Sequence, residues 1–142
     1  MIIPDINMLL YAHLTAFPEH TRARRWWQDL MNGDREVGLT APTTFGFVRI
    51  ATNPRIFTSP MSVEGALALV ESWLECPPVR FLVPGPEYLQ VAFRMLRAVG
   101  SAANLTTDVQ IAAFALEVQG EVHSSDTDFG RFPGLRWFNP TK

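Results

Sequence analysis

Aspartates occur in this chain where short apolar segments meet amphipathic ones, and this placement limits the folds that the chain can adopt. Asp5 follows an apolar opening, Asp108 begins an apolar run that is predicted to be helical, and Asp126 and Asp128 follow another short apolar segment. The alternation of short apolar strands with helices predicts an α/β fold with a mainly parallel central sheet. Because the carboxyl ends of parallel strands meet at one edge of a sheet, we expect these four side chains to converge.

The apolar periodicity predicts the individual elements. We expect strands over residues 1–3, 37–39, 79–83, 121–124 and 135–138. We expect helices over residues 9–12, 20–31, 45–51, 63–74, 86–99 and 108–117. The predicted caps are Ser62 for the fourth helix, Thr43 or Thr44 for the third, and Thr106 or Thr107 for the last.

Composition restricts the compartment and the class of partner. With 142 residues, 47% of them hydrophobic and 18% charged, the chain has the size and balance of one globular domain. Its single cysteine, Cys76, cannot form an internal disulfide, which favours a reducing compartment. We see no signal peptide and no membrane-spanning apolar run, so we expect a cytosolic protein. A net charge of −2 argues against a protein that coats nucleic acids, but not against a nuclease with local basic patches.

The convergence of four carboxylates has a chemical consequence. Carboxylates held together repel one another, which raises their pKa values unless a cation neutralises them. Oxygen ligands suit Mg²⁺ or Mn²⁺, and a divalent ion among carboxylates commonly serves phosphodiester hydrolysis. Taken singly, Asp5 and Asp108 could be helix-terminal residues, and Asp126 with Asp128 could form a polar turn. The metal hypothesis therefore depends on their joint placement at the ends of elements.

Three segments of the chain resemble the PIN domain family, and within it the VapC toxins of toxin–antitoxin pairs. They are residues 3–12, 107–113 and 124–129, which read IPDINMLLYA, TDVQIAA and SSDTDF. Residues 52–57, TNPRIF, also resemble one sub-branch of these toxins. The resemblance covers nearly the whole chain. It implies a single PIN domain over residues 1–142, with a short, mainly parallel central β-sheet flanked by helices.

The resemblance also implies an activity and its partners. The implied activity is that of a metal-dependent endoribonuclease toxin, which hydrolyses RNA phosphodiester bonds with activated water and leaves a 3′-hydroxyl and a 5′-phosphate. The implied cofactor is Mg²⁺ or Mn²⁺. The implied partners are a cognate VapB-like antitoxin, whose tail places an arginine among the carboxylates, and a second copy of the chain in a homodimer.

The same resemblance implies roles for individual residues of the site. The implied metal ligands are Asp5, Asp108 and Asp126, and the catalytic set adds Asp128 as an accessory acid. The implied supporting polar residues are Asn7 and Ser124. Two arginines, Arg49 and Arg55, are predicted to flank the acids, where they would contact RNA phosphates or point into solvent.

One acid of the family pattern is missing. The family usually places a glutamate on the third helix, at the position of about Gly46 or Phe47, but residues 43–49 contain no carboxylate. We expect the smaller negative charge to weaken metal binding, and Thr43 or Thr44 could hold a water molecule beside the ion. A competing hypothesis is a non-catalytic PIN-fold binding module that has lost turnover with this acid. A DNA nuclease of the same chemistry also stays open.

Other motifs point elsewhere but lack the residues that their functions need. Residues 128–130 read DFG, the metal-binding triplet of protein kinases, but the chain has no glycine-rich loop and no strand lysine. The only lysine is Lys142, so a phosphoacceptor receiver domain, which needs a lysine near its acids, is also excluded. The three histidines do not stand at metal-ligand spacing.

Overall fold

A central sheet of five parallel strands organises the computed structural model, which describes residues 1–100 and 105–142. The strands are β1 (Ile2–Pro4), β2 (Val37–Leu39), β3 (Val79–Phe81), β4 (Glu121–His123) and β5 (Arg136–Phe138). Their order across the sheet is β3-β2-β1-β4-β5, and every neighbouring pair is parallel. The predicted α/β class with a mainly parallel sheet is therefore confirmed.

Helices cover the sheet and connect its strands. They are α1 (Ile6–His13), α2 (His20–Met31), α3 (Ala41–Ala51), α4 (Val63–Glu75), α5 (Tyr88–Val99), α6 (Thr106–Glu117) and a 3₁₀ helix (Thr127–Arg131). Within residues 1–100 and 105–142, none of the helices has the length and apolar character needed to cross a membrane.

The start of α3 differs from the predicted one. The helix begins at Ala41, four residues early, because the extended Thr40 is its cap: the Thr40 hydroxyl accepts a hydrogen bond from the Thr43 N–H. Threonines 43 and 44 therefore lie inside the helix.

The cap of α4 was predicted correctly, since the Ser62 hydroxyl accepts a hydrogen bond from the Gly65 N–H.

The starts of α5 and α6 also differ from prediction. The α5 helix begins at Tyr88 instead of Pro86, because residues 85–88 first form a turn in which the Tyr88 N–H bonds to the Gly85 carbonyl. The α6 helix begins at Thr106, and Leu105 precedes it without a side-chain cap. The predicted threonine caps thus belong to the first turn of α6.

Two apolar cores lie on opposite faces of the sheet. Helices α1 to α4 form one of them with the side chains of β2, and α5, α6 and the 3₁₀ helix form the other with Ile3 and Val122. In the first core, the fully buried Phe47 of α3 packs edge-to-face on Trp73 of α4, with 4.8 Å between ring centroids. This contact fixes the rotation of α3, so that Phe47 points into the core.

The order of the strands determines where a site can form. The chain leaves β1 toward β2 on one side and later returns to β4 on the other side, so a crevice opens at the carboxyl ends of β1 and β4. The Asp5 N–H donates to the His123 carbonyl at 2.9 Å, which fixes the ends of the two strands against each other. Asp5 and the residues after β4 therefore meet at this crevice.

Candidate active site

Asp5 is both the cap of α1 and a member of the acidic crevice. Its Oδ1 accepts a 2.7 Å hydrogen bond from the Ile6 N–H, and its Oδ2 accepts a 2.7 Å bond from the Ser124 hydroxyl. The residue is buried. Asp5 can therefore be a helix cap and a member of the acidic site at the same time, because the cap fixes its carboxylate at the end of β1.

Asp126 and Asp128 enter the crevice from the turn after β4. The Asp126 Oδ1 accepts a 2.9 Å hydrogen bond from the Asp128 N–H, which starts the 3₁₀ helix. Asp128 also lies 3.8 Å from the Arg131 guanidinium, but both side chains are about half exposed. Water screens such a pair, so it neutralises little of the charge.

Asp108 completes the cluster from the first turn of α6. One oxygen each of Asp108, Asp126 and Asp128 lies within 4.8 Å of the others. Asp5 lies beside these three, with its oxygens engaged by Ile6 and Ser124. The structure brings the four predicted acids to one crevice. The assignment of Asp5, Asp108 and Asp126 as the ligands stays a prediction, and the tightest group instead includes Asp128.

The pKa values of two acids record this crowding. Burial raises the pKa of Asp5 to about 6, assisted by the charge of Asp126 and opposed by the hydrogen bonds from Ser124 and Ile6. Burial, followed by the charges of Asp5, Asp126 and Asp128, raises the pKa of Asp108 to about 7. Carboxyls that resist ionisation next to other carboxylates favour a cation between them. An all-oxygen donor set of this kind fits a divalent ion such as Mg²⁺ or Mn²⁺.

Ser124 connects the two strand ends. Its hydroxyl donates to Asp5 and accepts hydrogen bonds from the Asn7 side-chain amide at 3.2 Å and from the Asp126 N–H at 2.9 Å. Asn7 accepts in turn from the Ser125 N–H at 3.4 Å. Ser124 is fully buried, and its backbone is held as well, since its N–H donates to the Phe138 carbonyl and its carbonyl accepts from the Trp137 indole N–H. The two predicted supporting residues thus form one network that orients Asp5 and Asp126.

Another side chain occupies the space where the missing acid of α3 would begin. A Cβ atom added to Gly46 would lie 2.2 Å from the Ile6 Cδ1, so Ile6 fills the space where a side chain at position 46 would begin. The alternative position, Phe47, points into the core. Sequence reasoning missed Ile6 because an isoleucine near a helix start gives no signal beyond burial.

The two threonines of α3 differ in their environment. The buried Thr43 hydroxyl donates to the Pro4 carbonyl at 3.1 Å and accepts from Thr40, and the role of Thr43 or Thr44 in holding a water stays a prediction. The Thr44 hydroxyl is buried and has no hydrogen-bond partner in the described part of the chain.

The two predicted phosphate contacts have different positions. Arg49 lines a groove of about 490 Å³ between α3 and α6, together with Phe45, Gly46 and Thr107. Thr107 directly precedes Asp108, so this groove opens beside the acids. No described contact places Arg55 there. Arg55 is exposed, and its backbone N–H bonds to the Asn53 side chain.

Comparison with known proteins places this site in a family. The family model for the PIN domain matches residues 2–135. The chain is 51% identical over 142 residues to Ribonuclease VapC33 of Mycobacterium tuberculosis, which spans 100% of this chain and 99% of that protein. It is 38% identical over 140 residues to Ribonuclease VapC37 of the same species, with 99% and 97% covered.

Solved structures agree on the fold. VapBC-1 from nontypeable Haemophilus influenzae matches with a TM-score of 0.70 and 24% identity over 100% of both chains. VapC20 of Mycobacterium tuberculosis, a sarcin–ricin loop cleaving toxin, matches with a TM-score of 0.71 and 16% identity, over 96% of this chain and 99% of that one. With its full-length similarity to these proteins, the chain belongs to the PIN domain family and, within it, to the VapC toxins.

Proposed function

We propose that this protein is a VapC-type endoribonuclease that hydrolyses RNA phosphodiester bonds with Mg²⁺ or Mn²⁺. The observation that supports this most is the group of Asp108, Asp126 and Asp128 oxygens within 4.8 Å of one another, with Asp5 beside them. The names of the two ribonuclease relatives, 51% and 38% identical, support the reaction class.

The residues of the crevice have two roles, metal binding and the positioning of the carboxylates. Asp108, Asp126 and Asp128, with Asp5 beside them, would hold the ion. A divalent ion held there would supply a water of lowered pKa and would offset negative charge during phosphodiester hydrolysis. Ser124 and Asn7 hold the carboxylates in place through the hydrogen bonds described above. The chain needs no nucleophilic side chain for this reaction.

The proposed partners follow from the same charges. A VapB-like antitoxin would neutralise the toxin by placing an arginine of its tail among the carboxylates, where it would replace the cation. Solved relatives in complexes named VapBC support a partner of this kind. We further propose a homodimer that acts in the cytoplasm.

RNA cleavage with and without metal tests the proposal. We expect the purified toxin to cut structured RNA with Mg²⁺ or Mn²⁺, to stop in EDTA, and to slow by at least about 100-fold as Asp108→Asn. Asp34→Asn, which removes an exposed carboxylate outside the crevice, is the matched control and should keep full activity. Parallel assays on single- and double-stranded DNA identify a DNA nuclease if cleavage occurs there instead.

The alternative function is a PIN-fold binding module without turnover. The observation that favours it is the packing of Ile6 against Gly46, because a side chain at position 46 would fit only if Ile6 moved. Such a module would cleave no RNA at any Mn²⁺ concentration. Persistent cleavage in EDTA, or in Asp108→Asn, would exclude the metal mechanism instead.

A further inference from the structure

A second pocket lies away from the acids, between α2 and the face of the sheet that carries His123. Its volume is about 430 Å³. Three of the chain's twelve basic residues line it, namely Arg22, Arg25 and Arg35. Its aromatic walls are Trp26 of α2 and Phe138 of β5. The combination of guanidinium groups with aromatic rings suits a ligand that has both negative charge and a flat apolar part.

The floor of this pocket is held by two partly buried hydrogen bonds. The Trp26 indole N–H donates to the His123 Nδ1 at 2.9 Å, so the Nε2 carries the imidazole hydrogen and donates to Glu121 at 2.8 Å. His123 is buried, and its ring centroid lies 5.3 Å from that of Phe138, whose side chain is about half exposed. The Trp26 wall is therefore fixed by a hydrogen bond before any ligand arrives, and the Phe138 ring lies beside it with about half of its surface open.

The charge of the lining is positive although the chain is negative overall. Three arginines face a single lining carboxylate, Asp29. Arg35 lies 3.7 Å from Glu121, which offsets part of its charge. Arg22 donates to the Thr141 carbonyl at 3.0 Å, a contact that leaves its charge intact. Arg25 forms no ion pair within the described part of the chain, so at least two guanidinium groups are available to an anion.

We propose that this pocket binds one nucleotide of the RNA strand, away from the bond that is cut. The arginines would contact its phosphate, and the Phe138 ring would contact its base. The inference rests on the proposed function. The pocket and the acids are joined through β4, because His123 on the pocket floor directly precedes Ser124, which bonds to Asp5. Arg22 bonds to the Thr141 carbonyl, beyond the carboxyl end of β5, so RNA leaving the acids across the strand ends would reach Arg22 first. Arg35 precedes β2 and lies at the opposite edge of the sheet.

RNA binding in the absence of metal tests this inference. The probe is a fluorescein-labelled single-stranded RNA of about 12 nucleotides, measured by anisotropy in EDTA on the Asp108→Asn background, so that no turnover is needed. The test variant is Arg22→Ala with Arg25→Ala. The matched control is Arg24→Ala with Arg94→Ala, which removes the same charge from exposed positions outside the pocket. Thermal unfolding checks that both double variants are folded.

We expect the test variant to bind RNA about 10-fold more weakly, and the slope of its log binding constant against log salt concentration to fall in magnitude by about 0.7, the value for one phosphate contact. Phe138→Ala should weaken binding a few-fold, and the control less than about 2-fold. An equal loss in the control would overturn the inference. The inference would also be overturned if AMP bound as tightly as the oligonucleotide. The same holds if the test variant bound RNA as the parent does but captured the antitoxin more weakly. If cleavage fails but the pocket still binds RNA, the proposed function falls by itself.

Discussion

At the scale of single residues, burial and mutual repulsion set the properties of the crevice. The positions of Asp5, Asp108 and Asp126 at the ends of elements were predictable from the sequence, because strand ends and helix starts leave a clear pattern. The convergence of Asp128 with these acids was also expected, but its place in the tightest group of three was not, because it depends on the hydrogen bond with which Asp126 starts the 3₁₀ helix.

Replacing Asp108 by asparagine should stabilise the metal-free protein at neutral pH. The pKa of this carboxyl is raised to about 7 in the folded state, so folding binds a proton and the free energy of unfolding falls as pH rises from about 4 to 7. Asparagine removes that loss, which we place at about 1 kcal/mol after solvent screening. Urea unfolding should show the gain near pH 7.5 and not near pH 4. A gain of equal size at both pH values would contradict the electrostatic origin.

Ser124→Ala should reduce cleavage and change its pH dependence. The substitution leaves the Asp5 Oδ2 without its donor, so the pKa of Asp5 should rise and the acid limb of the rate profile should move to higher pH. We expect about a 10-fold lower rate and about 1–3 kcal/mol lower stability from unpaired buried groups. Ser125→Ala is the control, since the Ser125 hydroxyl bonds to the Tyr11 hydroxyl, at 3.4 Å, and to no acid among the described residues. An unchanged pH profile in Ser124→Ala would refute a positioning role.

At the scale of elements, α3 shows where sequence reasoning ends. Its existence was predicted, but its cap was assigned to the wrong threonine, because both Thr40 and Thr43 are good cap residues and only the fold decides between them. The contact of Ile6 with Gly46 also depends on how α1 and α3 pack. Such contacts join residues far apart in sequence, and local patterns do not record them.

Restoring a glutamate on α3 should need two substitutions. Gly46→Glu alone would force its Cβ against Ile6 and should destabilise the protein by about 1–3 kcal/mol without tightening Mn²⁺ binding. Ile6→Ala with Gly46→Glu removes the clash and should bind Mn²⁺ more tightly than Ile6→Ala, because the pocket gains an anion. Calorimetry measures the Mn²⁺ affinity of Gly46→Glu against the wild type, and of the double variant against Ile6→Ala. Tighter binding by Gly46→Glu alone would show that Ile6 does not control this position.

Phe47→Glu should unfold the protein instead of improving the site. The side chain is fully buried against Trp73, so a glutamate there would place a carboxylate in the apolar core without a partner. We expect a loss of stability above about 3 kcal/mol, seen as a lower melting temperature. Leucine at the same position is the control and should keep the fold. A folded Phe47→Glu variant with tighter Mn²⁺ binding would mean that α3 is rotated toward the acids.

At the scale of the whole molecule, the strand order unites the acids that the sequence separates. The alternation of strands and helices predicted a parallel sheet, and pairing of β1 with β4 brings residues 5 and 126 together. The arginine pocket was not predictable in the same way, because its walls come from α2, β4 and β5, and no motif connects them. Regular elements leave a periodic pattern in a sequence, whereas surfaces shared by distant segments do not.

A titration with Mn²⁺ tests most directly whether the acids hold the ion that supports catalysis. Metal binding is measured by calorimetry, and RNA cleavage is measured in the same buffer. The wild-type protein should bind Mn²⁺ near neutral pH, and cleavage should reach half of its maximum at the same metal concentration that half-saturates binding. Asp108→Asn should lose both together, and Asp34→Asn should lose neither. Absence of binding up to millimolar metal, or cleavage that continues in EDTA, would contradict the proposed nuclease and leave only the fold.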